Sequence, residues 1–256
     1  MIFQYLADCR ETLRACSLTA RRFRYTALSL LGRHLTLNAV GRLKDCSPLI
    51  TRGAFQHVRF LELGVNTEGT TIGRHWRTYL VILKAFARYR ALNRLWLSEV
   101  SFSFVGRSQK ENLRESITAL GSTVTEFGLY ECHFSSYEEM ICLIRSFPFC
   151  NFLFIRDCTT EGQPTGENMF TGLPEHKLSI RDLQLSSSNN LSIDISNLIE
   201  DAALDVGSLT SFMCGVGTSE GARRIAAAVY LSPVEHFQVA CAEPGGFQGE
   251  QTLLSS

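Results

Sequence analysis

Hydrophobic and polar positions along the chain repeat one short template, apolar-x-x-apolar-x-apolar, at seven places. Successive copies begin 34, 32, 26, 30, 29 and 25 residues apart. An apolar residue at every second position is typical of a strand that buries one face, so each copy predicts a short β-strand. The copies begin at Val58, Leu92, Val124, Cys150, Ile180, Leu209 and Val234.

The segments between the copies have the spacing of helices. Residues 194–205 and 219–231 place apolar side chains three or four positions apart, and residues 75–90 do the same. We therefore predict a helix in each of these segments. The apolar side of the helix at 75–90 is predicted to hold Trp76, Leu80, Leu83 and Ala87, with Tyr79 and Phe86 beside them.

Two polar pairs predict where helices begin. Ser108 and Glu111, and likewise Ser136 and Glu139, have the spacing of a capping box just ahead of apolar-periodic runs. Residues 159–174 are different because they are rich in Gly, Pro and Thr. We predict an irregular loop there.

Strand and helix alternate with a period of about 30 residues, which is the signature of a repeat solenoid. Asn66, Cys132 and Cys158 each stand three positions after a template, as in the leucine-rich-repeat pattern L-x-x-L-x-L-x-x-N/C. We predict an α/β fold: a leucine-rich-repeat-like solenoid with a parallel sheet inside and helices outside. An ordinary α/β domain is the alternative.

Charge is unevenly distributed, although the formal net charge of the 256 residues is zero. Residues 1–94 contain 16 Lys and Arg and 5 Asp and Glu, a net of +11. Residues 95–256 contain 9 and 20, a net of −11. This split predicts two segments that face different partners, with the basic end favouring an acidic one.

Cysteine usage and hydropathy indicate a compartment. The nine cysteines are odd in number and form no Cys-x-x-Cys pair, which disfavours a disulfide framework and a zinc ribbon. The opening residues have no basic leader, and no uncharged apolar run approaches the ~18 residues of a membrane span. We expect a cytoplasmic or nuclear protein with reduced thiols and no membrane association.

Residues 8–27 have the pattern of an amphipathic helix. Asp8 and Glu11 have the spacing of a capping box at its start. From periodicity alone, its apolar stripe predicts core packing and its arginine stripe predicts a solvated face. The stripes are Leu13, Cys16, Ala20, Phe23 and Ala27 on one side and Arg10, Arg14, Arg21 and Arg24 on the other.

The stretch RETLRACSLTARRF at residues 10–23 resembles the second half of an F-box. In that family a short helix and a strand follow, and LLGRHLTL at residues 30–37 is similar to that strand. Fungal-type F-box proteins often continue into irregular leucine-rich repeats, so the resemblance extends over most of the chain. We predict an F-box-like helical segment with a linker strand at 1–54, the repeats at 55–243 and a C-terminal tail at 244–256.

The resemblance implies an adaptor of an SCF-type, cullin-based ubiquitin ligase. Its F-box-like helices would dock on a Skp-family protein, and its repeats would hold a protein client. Phe23 replaces the usual Trp, Ala20 replaces a frequent second Cys, and the family's opening Leu-Pro segment would precede the first residue. We therefore expect an N-terminally incomplete F-box. By motif match, the adaptor-binding residues are Leu13, Cys16, Leu18 and Phe23.

Residues that alternate with the template positions are predicted to face the concave side of the solenoid. They are rich in aromatic residues and include arginine, as protein-binding surfaces are. The alternative is that loops cover these rings and that the rings simply pack. The residues predicted to bind a client are Trp96, Tyr130, Phe152, Phe154 and Arg156.

No catalytic, cofactor-binding or metal-binding site is predicted, and we expect the protein not to be an enzyme. Residues 215–221 (GVGTSEG) stand where a phosphate-binding turn belongs, but their spacing is G-x-G-x-x-x-G and no P-loop Lys follows. Cys132 and His133 are adjacent, and adjacent residues of a strand face opposite ways. We therefore interpret them as no metal site.

Nucleic acid is the rival partner for the basic part of the chain. Arg74, Arg77, Lys84 and Arg88 are spaced along one face of a predicted helix, near Trp76. No recognised nucleic-acid motif accompanies them, so we favour a solvated face or a site for an acidic protein. The alternative to the ligase adaptor is a leucine-rich-repeat scaffold for protein interactions that has no role in a ubiquitin ligase.

Overall fold

The fold is described from a computed structural model of the chain. The structure describes residues 11–12, 15, 33–37, 48, 50, 55–64, 76–102, 107–160, 178–186, 204–216, 235–241 and 251–252. The predicted adaptor-binding residues Leu13, Cys16, Leu18 and Phe23 lie outside these ranges, as does the helix predicted at 219–231.

Strands and helices alternate in the described part of the chain. The helices are α1 (Trp76–Tyr89), α2 (Arg107–Gly121) and α3 (Tyr137–Arg145), and a 3-10 turn spans Val206–Ser208. The strands are β1 (His34–Leu37), β2 (Phe60–Gly64), β3 (Arg94–Ser98), β4 (Glu126–Tyr130), β5 (His133–Phe134), β6 (Phe152–Arg156), β7 (Thr159–Thr160), β8 (Asp182–Ser186), β9 (Ser211–Val216), β10 (His236–Cys241) and β11 (Gln251–Thr252).

All seven template copies form strands, and these strands lie side by side in their order along the chain. They belong to a nine-stranded sheet with the order β1-β2-β3-β4-β6-β8-β9-β10-β11. Every neighbouring pair is parallel except β10 and β11. The fold is therefore α/β with a mostly parallel sheet, an arrangement that is compatible with a solenoid.

The sheet extends past both borders that were predicted for the repeats. β1 lies within residues 1–54 and pairs in parallel with β2. β11 lies within residues 244–256 and pairs with β10. Of the helix predicted at 194–205, only residues 204 and 205 are described, and Leu204 forms a parallel bridge with Leu178. This bridge adds one more parallel contact between neighbouring units.

α1 lies where the helical spacing predicts a helix, at residues 76–89 of the predicted 75–90. Its buried side is centred differently, because Tyr79, Ile82 and Phe86 are as buried as Leu83. α2 begins at Arg107, so Ser108 lies inside the helix, and the prediction that it caps the start is wrong by two positions.

The second predicted capping box is confirmed in part at α3: Ser136 is its N-cap, but the Glu139 carboxylate bonds the N–H of Ser135 instead of that of Ser136. The Ser136 hydroxyl accepts a hydrogen bond from the Glu139 N–H at 3.2 Å. The Glu139 carboxylate in turn accepts from the N–H of Ser135 at 3.0 Å. Two backbone donors that the first turn cannot satisfy therefore find partners in side chains.

One backbone pattern repeats where the long parallel strands begin. The carbonyl of Asn93, just before β3, accepts hydrogen bonds from the N–H groups of Thr125 and Glu126 at 2.8 and 3.0 Å. Each such carbonyl binds two donors of the next unit, which holds neighbouring strands in register. The same pattern occurs at the carbonyls of Arg33, Arg59, Thr125, Asn151, Arg181 and Thr210.

A second pattern repeats where β3, β4 and β6 end. Glu99, Glu131 and Asp157 follow these strands with φ angles of 55, 50 and 51°, in the left-handed region. Their N–H groups donate to the carbonyls of Tyr130, Arg156 and Ser186 at 2.8, 2.8 and 3.0 Å. The left-handed residue turns the chain, so the residue after it enters the core.

Cys132 and Cys158 occupy this inward position, and both are buried. The Cys132 thiol donates to the Leu97 carbonyl at 3.3 Å, and the Cys158 thiol donates to the Arg156 carbonyl at 3.5 Å. Burial raises the pKa of Cys132 well above its ordinary value. Cys132 therefore packs in the core as a neutral thiol.

A short parallel sheet of β5 and β7 lies beyond the cysteines. The ring nitrogen Nδ1 of His133 and the hydroxyl of Thr159 are 2.6 Å apart across it. The first two residues of the loop predicted at 159–174 are therefore a strand, because their backbone pairs with β5. The rest of that predicted loop lies outside the described residues.

The core lies between the sheet and the helices. One hydrophobic cluster contains the template residues of β2, β3, β4, β6 and β8 and the inner sides of α1, α2 and α3. Stacked rings link its layers, since Phe127 and Phe147 lie 4.3 Å apart between centroids and Phe102 and Phe134 lie 4.6 Å apart. The opposite side of the sheet is therefore left for other contacts.

Replacing Gly121 with Ala is expected to destabilise the fold. A Cβ at this last residue of α2 would lie 2.0 Å from the Ser146 carbonyl oxygen, so backbone must move. The expected loss in the free energy of unfolding is about 1–3 kcal/mol, measured by urea denaturation. Thr118→Ala, at an exposed position of the same helix, is the matched control. Equal stability of the two variants would contradict the tight approach of α2 to the end of α3.

Candidate protein-binding face

Alternating residues of the parallel strands point away from the core. In β2, β3, β6 and β8, residues at the first, third and fifth positions are less buried than the apolar residues between them, except at Gly64. We call this side of the sheet the open face. The predicted client-binding residues Trp96, Tyr130, Phe152, Phe154 and Arg156 all lie on it.

Four aromatic rings form a continuous row across the open face. His34 stacks on Phe60, with centroids 4.0 Å apart and planes inclined by 9°. Phe60 meets Trp96 edge to face at 5.4 Å. Trp96 stacks on Phe154 at 5.4 Å and 11°. These four residues, which we call the aromatic row, connect β1, β2, β3 and β6.

Gly128 explains how Trp96 and Phe154 meet although β4 lies between their strands. A Cβ at Gly128 would lie 2.8 Å from Cδ1 and 2.9 Å from Cγ of Trp96, closer than real contacts allow. The indole ring therefore occupies the space that a side chain of β4 would fill. Because Gly128 pairs with both Trp96 and Phe154 in register, its lack of a side chain joins the two rings.

This position leaves a polar atom of Trp96 in an unusual state. Its Nε1 is buried and finds no hydrogen-bond acceptor among the residues that the structure describes. Leaving a buried donor unsatisfied costs about 1–3 kcal/mol. Ring stacking and the contact with Gly128 therefore offset the free-energy cost of the unsatisfied donor and keep the Trp96 ring in this position.

An ion pair lies beside the aromatic row. Arg94 and Glu126 face each other on β3 and β4, with Nε and Oε2 2.8 Å apart. The Arg94 side chain is 50% exposed, so the pair contributes at most about 1 kcal/mol to stability. The ion pair matters more for the chemistry of the open face, because it places two opposite charges that compensate each other between aromatic residues.

Tyr130 and Arg156 form a second contact at the ends of β4 and β6. The Arg156 guanidinium lies 5.3 Å from the centroid of the Tyr130 ring, within cation–π range. Its Nε is 3.3 Å from an Asp157 carboxylate oxygen. Hydrogen bonding to the side chain of Glu131 raises the pKa of the Tyr130 hydroxyl, so this group stays neutral and donates at physiological pH.

The structure brings the predicted residues together in two pairs. Trp96 contacts Phe154, and Tyr130 contacts Arg156. Phe152 lies on the same face, in register with Glu126 and Asp182. Whether these residues bind a client stays a prediction.

Sequence reasoning missed three contributors to the aromatic row. His34 lies on β1, whose first template position is Gly32 instead of an apolar residue. Phe60 alternates with the template residues and is therefore predicted to face the concave side, but it is not one of the predicted client-binding residues. The role of Gly128 could have been recognised from the sequence, because the equivalent positions of the neighbouring copies hold the large residues Trp96 and Phe154.

Other candidate chemistry is limited in the described residues. They contain no group of three or more His, Cys, Asp or Glu side chains placed to hold a metal ion. Cys132 is buried whereas its neighbour His133 is exposed, so the two face opposite ways. Of the glycine-rich stretch 215–221, only the first two residues are described, and they belong to β9. None of the described helices is long and apolar enough to cross a membrane.

Comparison with known proteins adds no family to this picture. No family model matches the chain, and no curated protein matches it.

Gly128→Ala is expected to displace the Trp96 ring and separate it from Phe154. In a Trp76→Phe background, Trp96 is the only tryptophan, so its fluorescence reports on this site alone. We expect stronger quenching by acrylamide and a loss of about 1–3 kcal/mol of stability.

Ser98→Ala is the matched control, since it also changes a small residue on the open face. Unchanged quenching in Gly128→Ala would show that the indole does not occupy the space above β4.

Proposed function

We propose that the chain is a leucine-rich-repeat-like protein-binding module that holds a protein client on its open face. We further propose that it acts in the cytoplasm or nucleus as the substrate-recognition adaptor of an SCF-type ubiquitin ligase, without catalytic activity of its own. The aromatic row is the observation that carries the client-binding role.

The chemistry of the open face favours a protein as the client. Aromatic and arginine side chains are enriched in the residues that dominate protein–protein binding. Trp96 and Phe154 are preorganised by stacking, so little rotamer entropy would be lost when a partner covers them. Covering the remaining apolar surface of the rings would contribute about 25 cal/mol per Å².

The adaptor role is supported by the resemblance of residues 10–23 to an F-box. It is also supported by the position of β1, which follows this segment and pairs with β2 at the start of the sheet. A ligase adaptor must connect its docking segment to its client. Here ten residues separate the stretch at 10–23 from the strand that carries His34, the first ring of the aromatic row.

A scaffold with no role in a ubiquitin ligase is the second candidate. It is favoured by the departures of the F-box-like stretch from its family, Phe23 for Trp and Ala20 for Cys. Both candidates use the open face in the same way. They differ in whether a Skp-family protein binds.

Co-expression with a Skp-family adaptor is expected to give a stable complex that survives size-exclusion chromatography. Leu13→Asp combined with Leu18→Asp should abolish it, because two charges would be placed at the docking surface. Glu11→Gln is the control, because Glu11 is an exposed residue of the same segment and is not among the predicted adaptor-binding residues. Helix content measured by circular dichroism must be unchanged in both variants. Absence of a complex with the unaltered chain would favour the scaffold.

Trp96→Leu combined with Phe154→Leu is expected to reduce client capture about tenfold. Leucine retains apolar volume but removes the rings, so the thermal midpoint should change little. Recovery of the client with the tagged full-length chain is measured by quantitative mass spectrometry. Phe149→Leu is the matched control, because this ring is 63% exposed but lies outside the open face. Equal losses in both variants would contradict client binding by the aromatic row.

A further inference from the structure

We infer that the client segment held by the open face is basic, rich in lysine and arginine. This inference rests on the proposed function of the open face and specifies the chemistry of its partner. It follows from how cations are already bound on this face and from the charge that surrounds it.

The open face itself shows how it binds a cation. The Arg156 guanidinium lies over the Tyr130 ring at 5.3 Å while its Nε is 3.3 Å from the Asp157 carboxylate. A ring face and a carboxylate together stabilise a guanidinium or ammonium group better than either alone. The same two elements, ring and carboxylate, recur elsewhere on the face.

Glu126 supplies the second carboxylate. It lies between Phe152 on β6 and Arg94 on β3, and its side chain is 25% exposed. The aromatic row passes beside it, since Trp96 and Phe154 lie two residues further along the same strands and therefore on the same face. Arg94 pairs with this carboxylate, so this place repeats the combination of ring, carboxylate and cation that is seen at Arg156.

The margin of the open face extends this acidic character. Glu99, Glu131 and Asp157 end three successive units with the same backbone conformation. Neighbouring parallel strands lie about 4.8 Å apart, so these residues form a column along the edge of the face. Hydrogen bonding of Glu131 with Tyr130 and the pairing of Asp157 with Arg156 place two of these carboxylates beside the open face.

The charge of the open face and of its margin acts in the same direction. The strands of the face and the margin residues together contain six carboxylates, Glu62, Glu99, Glu126, Glu131, Asp157 and Asp182, against the two arginines Arg94 and Arg156. This charge attracts a basic segment at long range and repels an acidic one or a nucleic acid. The two arginines of the face do not reverse this preference: Arg94 pairs with Glu126 at 2.8 Å and Arg156 with Asp157 at 3.3 Å, and six carboxylates against two arginines leave a net charge of −4.

The test uses the full-length chain and three fluorescein-labelled peptides of equal length. One peptide has lysine and arginine at alternate positions, the second has glutamate and aspartate at those positions, and the third has glutamine. Binding is measured by fluorescence anisotropy at low and at moderate salt. We expect the basic peptide to bind and the other two to bind at least about tenfold more weakly, with an affinity that falls as salt rises.

Two variants with the same change in charge locate the binding. Glu131→Gln with Asp157→Asn removes two carboxylates at the margin of the open face, and we expect about fivefold weaker binding of the basic peptide. Glu115→Gln with Glu138→Gln removes two exposed carboxylates of α2 and α3, and we expect less than a twofold change. Equal effects of the two variants would overturn the inference.

The remaining outcomes separate this inference from the proposed function. If the acidic peptide binds best, or no peptide binds, the client is not basic and the inference is wrong. The inference can be wrong in this way while Trp96→Leu with Phe154→Leu still abolishes client capture. The open face then remains the client-binding surface, and only the basic character of the client is refuted. If the basic peptide binds this variant as tightly as the unaltered chain, both the inference and the client-binding role of the aromatic row fail.

Discussion

The structure depends on the in-register stacking of parallel strands. Each carbonyl at the start of a unit accepts two N–H groups from the next unit, as Asn93 does from Thr125 and Glu126. A slip of one residue would move every apolar side chain to the opposite side of the sheet. Variation in length is therefore confined to the segments between strands. This explains how spacings from 25 to 34 residues are compatible with one regular sheet.

Register also decides what the open face can display. Residues at equivalent positions form columns in which side chains stand about 4.8 Å apart. Two rings at equivalent positions of adjacent strands can stack face to face, as His34 and Phe60 do, but an indole can lie across the sheet only if its neighbour is small. Gly128 provides this small neighbour, and Trp96 uses it to reach Phe154. The irregular feature that gives the face its aromatic row is thus possible only because the rest of the column is regular.

The sequence predicted the strands more completely than the contacts between them. A period of two with a repeated template was enough to locate the seven strands from β2 to β10 that carry it, because burial of one face requires that pattern. β11 has no template and was missed. The pairing of β1 with β2 was also missed, since Gly32 interrupts the template. The alternation correctly placed Trp96 and Phe154 on one face, but their contact depends on side-chain orientation across an intervening strand, which spacing does not contain.

The buried cysteines give the sheet a chemical property of their own. The thiolate is the reactive form of cysteine, and burial raises the pKa of Cys150 to about 12 and that of Cys132 well above its ordinary value. At neutral pH these sulfur atoms are nucleophilic only while the surrounding unit is open. Both lie in the middle of the sheet, in the units of β4 and β6 that also carry Gly128 and Phe154. Their modification rate is therefore a measure of how often the units that carry Gly128 and Phe154 open.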